Sequence, residues 1–359
     1  MRKHYIDNLR WMCVLLLFPY HVFMIYNTWG ENFYVKGPGV HAVMTFNAVT
    51  WPWFMPILFV IAGISTAYAM RRRSVGEYAK ERAMKLLVPL AAGILIVVPA
   101  QTYFAERFHN GYTGGYFAQY VLFFTKETDL TGYAGGFTPG HLWFILYLFV
   151  ISLVAVPIII LNKRYKLLER FDFGKLPLPV TLLLFVLPMF GSLVLDIGGK
   201  SLGEYFAWFL LGYFALSSEN LQAKLEKSRA WLLGAGLACM ALEILWWFDI
   251  AILQIPQIFY DIFSRAYGWV MLLALMGMAR RHLDASNRFM DYMSRASFPV
   301  YIFHQTWIVV AAYYVFQIAR NPSVQMELIL LASVLATFAS YELCRRVPVT
   351  RVLFGIKKP

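Results

Sequence analysis

Arg10 and His21 stand eleven residues apart in YIDNLRWMCVLLLFPYHVFMIY. At α-helical spacing their side chains leave the helix within about 20° of one another and about 16 Å apart along the axis. An ionisable group inside an apolar run is costly, which makes it a functional suspect by default. Such a stripe joins a cation near one membrane face to a titratable imidazole deep in the bundle, the groups needed for anion binding and proton transfer. The same spacing admits a second reading, in which Arg10 snorkels to the interface and His21 hydrogen-bonds a neighbouring helix. Asp7, one turn before Arg10, is its natural i,i+3 partner.

Four further groups could do chemistry. Arg82 and Lys85 are three apart, share a helix face and precede Pro89; two cations so placed can clamp phosphate, whereas Arg71–Arg73 read as ordinary cytoplasmic-loop charges. His304 lies in SFPVYIFHQTW, about 12 Å into its span and followed by Gln305 and Thr306. It either lines the same cavity as His21 or ties two helices together. His141 opens GHLWFILYLF with Trp143 beside it, where an interfacial aromatic is expected without any function. Glu342 is close enough to pair with Arg345 or Arg346. Cys13, Cys239 and Cys344 make neither a metal spacing nor a disulfide framework, and no metal is expected. There is no phosphate-binding Gly-rich loop, no Gly-x-Ser-x-Gly nucleophile turn and no internal repeat of broken helices.

The elements that must position these groups are membrane helices. Of 359 residues 60% are hydrophobic, 18% aromatic and only 14% charged, against roughly a quarter charged in a soluble domain. Apolar runs long enough to cross about 30 Å of hydrocarbon fall near 9–27, 47–70, 84–104, 141–162, 178–197, 203–218, 230–250, 262–280, 296–318 and 326–344. The expectation is an all-α, polytopic helical bundle of ten transmembrane helices. Interruption by Pro19 and His21, with no small-residue cleavage site after them, makes the first run a membrane helix and not a cleaved signal. With the N-terminus inside, 25 basic residues fall on the cytoplasmic side and six outside, which predicts both termini cytoplasmic. The net charge of +12 then reports topology, not a nucleic-acid partner. Residues 105–140 form an outer segment too long for a turn and are expected to fold over the outer mouth as a lid or re-entrant element. One domain, 1–359, with no appended soluble domain, is expected.

Several segments resemble one family in chain order: the opening helix with its basic residue, ten-residue gap and His; LFVIAGIS; RAMKLLVP; HLWFILYL; SFPVYIFHQ; and YELCRRVP. The chain is similar over nearly its whole length to the membrane-bound acyltransferase family 3, and most of all to the branch containing glucan succinyltransferases. Two departures stand out. Lys85 replaces the more usual second Arg, losing planar bidentate phosphate recognition. Ala62 stands where a Ser often precedes Gly63, with Ser65 a turn away.

The resemblance implies an integral-membrane O-acyltransferase that moves an acyl group, acetyl or succinyl, from cytoplasmic acetyl-CoA or another acyl-CoA to a hydroxyl of an extracytoplasmic carbohydrate. It implies His21 as catalytic base, Arg10 at the CoA end of the donor, and Arg82 with Lys85 as the paired basic motif. His304, His141, Trp143 and Ser65 are further candidates. The implied setting is a cell membrane and the implied partners are acyl-CoA, a glycan and lipid. A proton-coupled exporter using His21 and His304 as a relay is the rival from another class, and a scaffold within a glycan-synthesis complex is a third reading.

Overall fold

The computed structural model describes residues 3–30, 32–166, 171–250 and 255–357. Arg2, Arg170 and Lys358, counted above on the cytoplasmic side, lie outside the described residues. Among the described residues the chain is helical, with no strand and one isolated bridge between Asp196 and Ser201. The helices run α1 (His4–Met24), α2 (His41–Met70), α3 (Val75–Arg82), α4 (Val88–Ala92), α5 (Val98–His109), α6 (Tyr116–Thr125), α7 (Trp143–Tyr165) and α8 (Leu178–Leu182). They continue as α9 (Val186–Gly191), α10 (Leu202–Phe214), α11 (Glu219–Lys227), α12 (Arg229–Trp247), α13 (Gln257–His282), α14 (Arg288–Ile318), α15 (Pro322–Cys344) and α16 (Pro348–Leu353).

Six helical stretches are long and apolar enough to cross a membrane by length and composition: His41–Met70, Val75–His109, Gly140–Tyr165, Arg229–Trp247, Gln257–His282 and Pro322–Cys344. They coincide with six of the ten expected segments. Two more segments lie in α1 and α14, of 21 and 31 residues, whose N-terminal halves carry Asp7 with Arg10 and Asp291 with Arg295. The remaining two are shorter than expected. Residues 178–191 break into α8, a 3₁₀ turn and α9, with Pro179 at the first helical turn and Pro188 inside α9. Helix α10 has 13 residues, about 20 Å of rise against about 30 Å of hydrocarbon. Hydropathy alone could not reveal this, because Trp208 and Phe209 of α10 are apolar through being core residues, at most 1% exposed.

The chain divides into two compact units, and the division passes through α1, α2, α7 and α14. The first comprises residues 1–10, 48–82 and 147–290. Within it α2 crosses α10 backbone against backbone: a Cβ on Gly63 would stand 2.1 Å from the Phe209 carbonyl oxygen, and one on Gly212 2.2 Å from that of Val60. Small residues permit such crossings where no hydrophobic drive brings helices together. Phe59 stacks on Tyr205 beside this crossing at 4.6 Å.

The second unit comprises residues 11–47, 83–146 and 291–359. The helix after α3 passes through two π turns, Ala83–Leu87 and Gly93–Val97, each followed within two residues by a proline, Pro89 or Pro99. Proline has no N–H and its ring clashes with the carbonyl four residues back; the wider π turn relieves the clash. The carbonyls of Leu95 and Val97, at the second π turn, then accept from Tyr120 and Thr306 at 3.0 and 3.1 Å. Helix α6 is arranged inside out: Gln119 is buried, while Phe117 and Val121 are 84% and 60% exposed. Such a helix suits apolar surroundings, as a re-entrant element requires.

Replacing Gly63 by Ala should force α2 and α10 apart, at a cost of about 1–3 kcal/mol, and lower the thermal midpoint of the purified protein. Gly76→Ala, on an exposed turn of α3 where a Cβ meets nothing within 4 Å, should leave it unchanged or raise it slightly. Fluorescence-detected melting in one detergent compares the two directly.

Candidate active site

In the first unit two guanidinium groups gather on α2. Arg10 Nη1 donates to Asp7 at 2.9 Å, and its Nη2 donates to Ser65 Oγ at 3.0 Å. Arg82 Nη2 donates to the next residue, Thr66, whose Oγ1 accepts at 2.8 Å. Thr66 in turn bonds the Tyr78 hydroxyl at 3.1 Å, and the Arg82 guanidinium lies 4.9 Å from the Tyr78 ring centre. Consecutive hydroxyls on one helix thus hold two guanidinium groups, and Asp7 bonds one of them; guanidinium groups so held are suited to binding an anion. Thr66 and Tyr78 were not visible as site residues in the sequence; a Ser-Thr pair in an apolar span was the available signal.

The expected spacing of Arg82 and Lys85 meets a change of helix type between them. The π turn starts immediately after Arg82, so the α-helical spacing that put both on one face ends there. Lys85 is exposed. Of the loop cations, Arg73 pairs with Glu81 at 2.7 Å. Arg71 stacks over Tyr68 at 5.2 Å and, with Lys163, lines a cleft of about 290 Å³. Glu342 pairs with Arg345 at 2.8 Å.

In the second unit three histidines from three distant segments come together. The His304 ring centre is 5.3 Å from that of His21 and 5.0 Å from that of His141, and His304 is fully buried. Their hydrogen bonds differ in ways that assign protons. His141 Nε2 faces the Ile302 carbonyl at 2.9 Å; a carbonyl only accepts, so this nitrogen carries the hydrogen. Its Nδ1 therefore accepts from Gln101 Nε2 at 3.3 Å. Gln101 Nε2 also donates to Thr306 Oγ1 at 2.7 Å, and Thr306 donates to the Val97 carbonyl at the end of the π turn. Both nitrogens of His141 are thereby engaged in orientation.

His304 Nδ1 faces the Tyr301 carbonyl at 2.7 Å, so it too is the protonated nitrogen, and Nε2 is buried with no hydrogen-bond partner. His21 Nδ1 is likewise buried and unpartnered, although the ring as a whole is only part-buried. Aromatic rings enclose the pair: Phe18 is edge-on to His304 at 5.7 Å, and Phe33 is stacked over His21 at 6.4 Å. Trp143 is half-buried at the first turn of α7.

The outer segment supports this enclosure. Tyr133 packs against Phe33 and Tyr34 at 5.9 and 5.0 Å, and His109 Nε2 donates to the Phe33 carbonyl at 2.6 Å. Glu106, 4% exposed, pairs with Lys126 and accepts from Asn110 at 2.7 Å. Gly135, at φ +84, sits where a Cβ would overlap the Glu106 side chain, and its carbonyl accepts from Gln119 at 3.0 Å. The Thr131 hydroxyl and backbone N–H both donate to Asp129, holding its carboxyl below the usual range. Residues 105–140, expected as a lid or re-entrant element, pack through Tyr133 and His109 onto Phe33, the ring stacked over His21. Gln101, a polar side chain just after Pro99 in an apolar run, is the site residue the sequence reading passed over.

Among the described residues the chain thus combines apolar helices long enough to cross a membrane, two guanidinium groups on consecutive hydroxyls and a cluster of three histidines. The family model described as Acyltransferase domain matches residues 3–342, and the chain belongs to that acyltransferase-3 family, whose members transfer acyl groups. Among curated proteins it is similar to Glucans biosynthesis protein C of Salmonella schwarzengrund, Salmonella typhi and Salmonella typhimurium, at 21% identity in each case. Each alignment covers 100% of this chain and 96% of the relative. No solved structure matches the chain. Family membership decides for an enzyme over the exporter.

Replacing Gln101 by Leu leaves the His141 Nδ1 acceptor and the Thr306 hydroxyl without their donor. The expected cost is about 1–3 kcal/mol of stability, read as a lowered thermal midpoint, with Gln119→Leu as a comparison outside the histidine network.

Proposed function

We propose that the protein is an integral-membrane O-acyltransferase that takes an acetyl or succinyl group from cytoplasmic acyl-CoA and places it on a hydroxyl of an extracytoplasmic glucan or related glycan. The observation that carries this reading is the state of His21: a part-buried imidazole with an unpartnered Nδ1, ringed by aromatic side chains on which a sugar can stack. Support for a glycan acceptor comes from the printed name of the relatives, Glucans biosynthesis protein C. The topology belonging to this reading is a single transmembrane domain of ten spans in a cell membrane, both termini cytoplasmic, with 25 basic residues on the donor side.

CoA is polyanionic and cannot enter hydrocarbon, so its phosphates stay with the cations. Arg10 and Arg82 are the donor-binding pair, with Lys85 as a more peripheral charge. The pantetheine arm carries the thioester inward. His21 removes the acceptor hydroxyl proton as general base; the hydroxyl oxygen bonds to the acyl carbon, the C–S bond breaks, and the proton passes from His21 to the departing CoA sulfur. Exclusion of water by Phe18, Phe33 and the outer segment protects the thioester from hydrolysis.

His21→Ala should lower transfer by about 10²- to 10⁴-fold while the thermal midpoint stays near wild type. Thiol release from acetyl-CoA or succinyl-CoA, measured with a glucose oligosaccharide as acceptor, checks this, and a folded variant with full rate sinks the mechanism. Arg10→Ala and Arg82→Ala should each weaken CoA binding by calorimetry more than Arg73→Ala does; equal small effects would leave the basic groups a topological role only. In oriented proteoliposomes, acyl-CoA supplied only on the N-terminal side should acylate an acceptor supplied only on the other. Activity confined to substrates sharing a side rules out the cross-membrane route.

A further inference from the structure

Two nitrogens of the histidine cluster are buried without a partner: His21 Nδ1 and His304 Nε2. Each such atom, left alone, costs roughly 1–3 kcal/mol, and native interiors keep few of them. The two are complementary. The hydrogen bond to the Tyr301 carbonyl takes up the Nδ1–H of His304, so a neutral His304, the form that costs least at a fully buried position, offers only a lone pair at Nε2. His21 can supply the missing hydrogen from Nδ1. Their ring centres are 5.3 Å apart with the planes tilted by 40°, so turning the His21 ring within its aromatic enclosure brings the two nitrogens toward a hydrogen bond of about 3 Å. His141, although as near to His304, has both nitrogens engaged and cannot serve.

From this we infer that His304 is a positioning residue for the transfer reaction: it accepts the Nδ1–H of His21, fixes the His21 tautomer and leaves the Nε2 lone pair of His21 to take the acceptor's proton. The inference rests on the reading of His21 as the general base. In many hydrolases a carboxylate orients the base and supports its imidazolium form. Here a neutral imidazole does the orienting, and it adds no second charge to a site within hydrocarbon. During transfer the hydroxyl proton moves to His21 Nε2 and then to the CoA sulfur, while the Nδ1–H remains on His21 and shortens its bond to His304. Tyr301 holds the arrangement from beneath, because its carbonyl orients His304 and its hydroxyl donates to the His141 carbonyl.

The test uses the purified full-length protein and thiol release from acetyl-CoA and succinyl-CoA with a glucose oligosaccharide acceptor. His304→Phe keeps the ring and removes the acceptor. His304→Asn keeps a donor toward the Tyr301 carbonyl and is too short to present an acceptor at the Nε2 position. His304→Gln restores an acceptor oxygen there. The expected result is a fall in kcat of at least about tenfold for Phe and Asn, with KM for both substrates and the thermal midpoint within error of wild type, and recovery of most of the rate in Gln. Adding His304→Phe to His21→Ala should cost nothing further, since residues acting as a unit are non-additive.

Full kcat in a folded His304→Phe or His304→Asn overturns the inference. So does an equal fall in all three variants accompanied by a lowered midpoint, which marks His304 as a packing residue. If the Phe variant does not fold, Asn against Gln makes the same comparison. An active His21→Ala variant instead overturns the reading of His21 as base, whereas an inactive one beside an active His304→Phe overturns the dyad alone.

Discussion

A polar group in hydrocarbon has to find its partner within the protein, and beside the histidines one run of side-chain hydrogen bonds links a backbone carbonyl at a π turn to an imidazole. Pro99 cannot donate and displaces the turn before it, so the chain widens into the π turn Gly93–Val97. The Val97 carbonyl is answered by Thr306, Thr306 by Gln101, and Gln101 by His141, whose other nitrogen closes on the Ile302 carbonyl. Each hydrogen in this chain has one place to go. These bonds fix the tautomer of His141 and tie α14 to α5 through Thr306 and Gln101.

The same obligation explains why the cluster contains one spent imidazole and two available ones. Water would satisfy every nitrogen in a soluble protein and erase the difference between them. In a buried, low-dielectric setting an unpartnered nitrogen stays unpartnered until a substrate or a neighbouring ring supplies what it lacks. The aromatic enclosure keeps it so, and the outer segment holds that enclosure through Tyr133 on Phe33 and His109 on the Phe33 carbonyl.

In the first unit the constraint is the opposite one, keeping like charges together. Ser65 and Thr66 hold Arg10 and Arg82 through hydroxyl oxygens that accept without adding negative charge, and Asp7 pairs with Arg10. Carboxylates at both hydroxyl positions would have neutralised the pair and removed its use for a phosphate. Helix α2 can present these hydroxyls because Gly63, one turn earlier, lets it lie directly on α10.

Sequence by itself determined the helical class and the family and nominated Arg10 and His21 as candidates, because hydropathy, charge and an eleven-residue spacing are local along the chain. It also anticipated that 105–140 folds over the site, since so long a Gly- and Tyr-rich segment needs packing partners. Only the tertiary structure decided the rest. The brevity of α10 depends on which faces are covered, and hydropathy counts a core tryptophan and a lipid-facing one alike. Between Arg82 and Lys85 the chain enters a π turn, which no spacing of the two residues announces. His21, His141 and His304 came together from positions 120 and 163 residues apart in the chain, and the division of labour among them turned on which carbonyl each ring happens to face. A single sequence does not encode that choice in any spacing; it follows from the packing of helices that are distant along the chain.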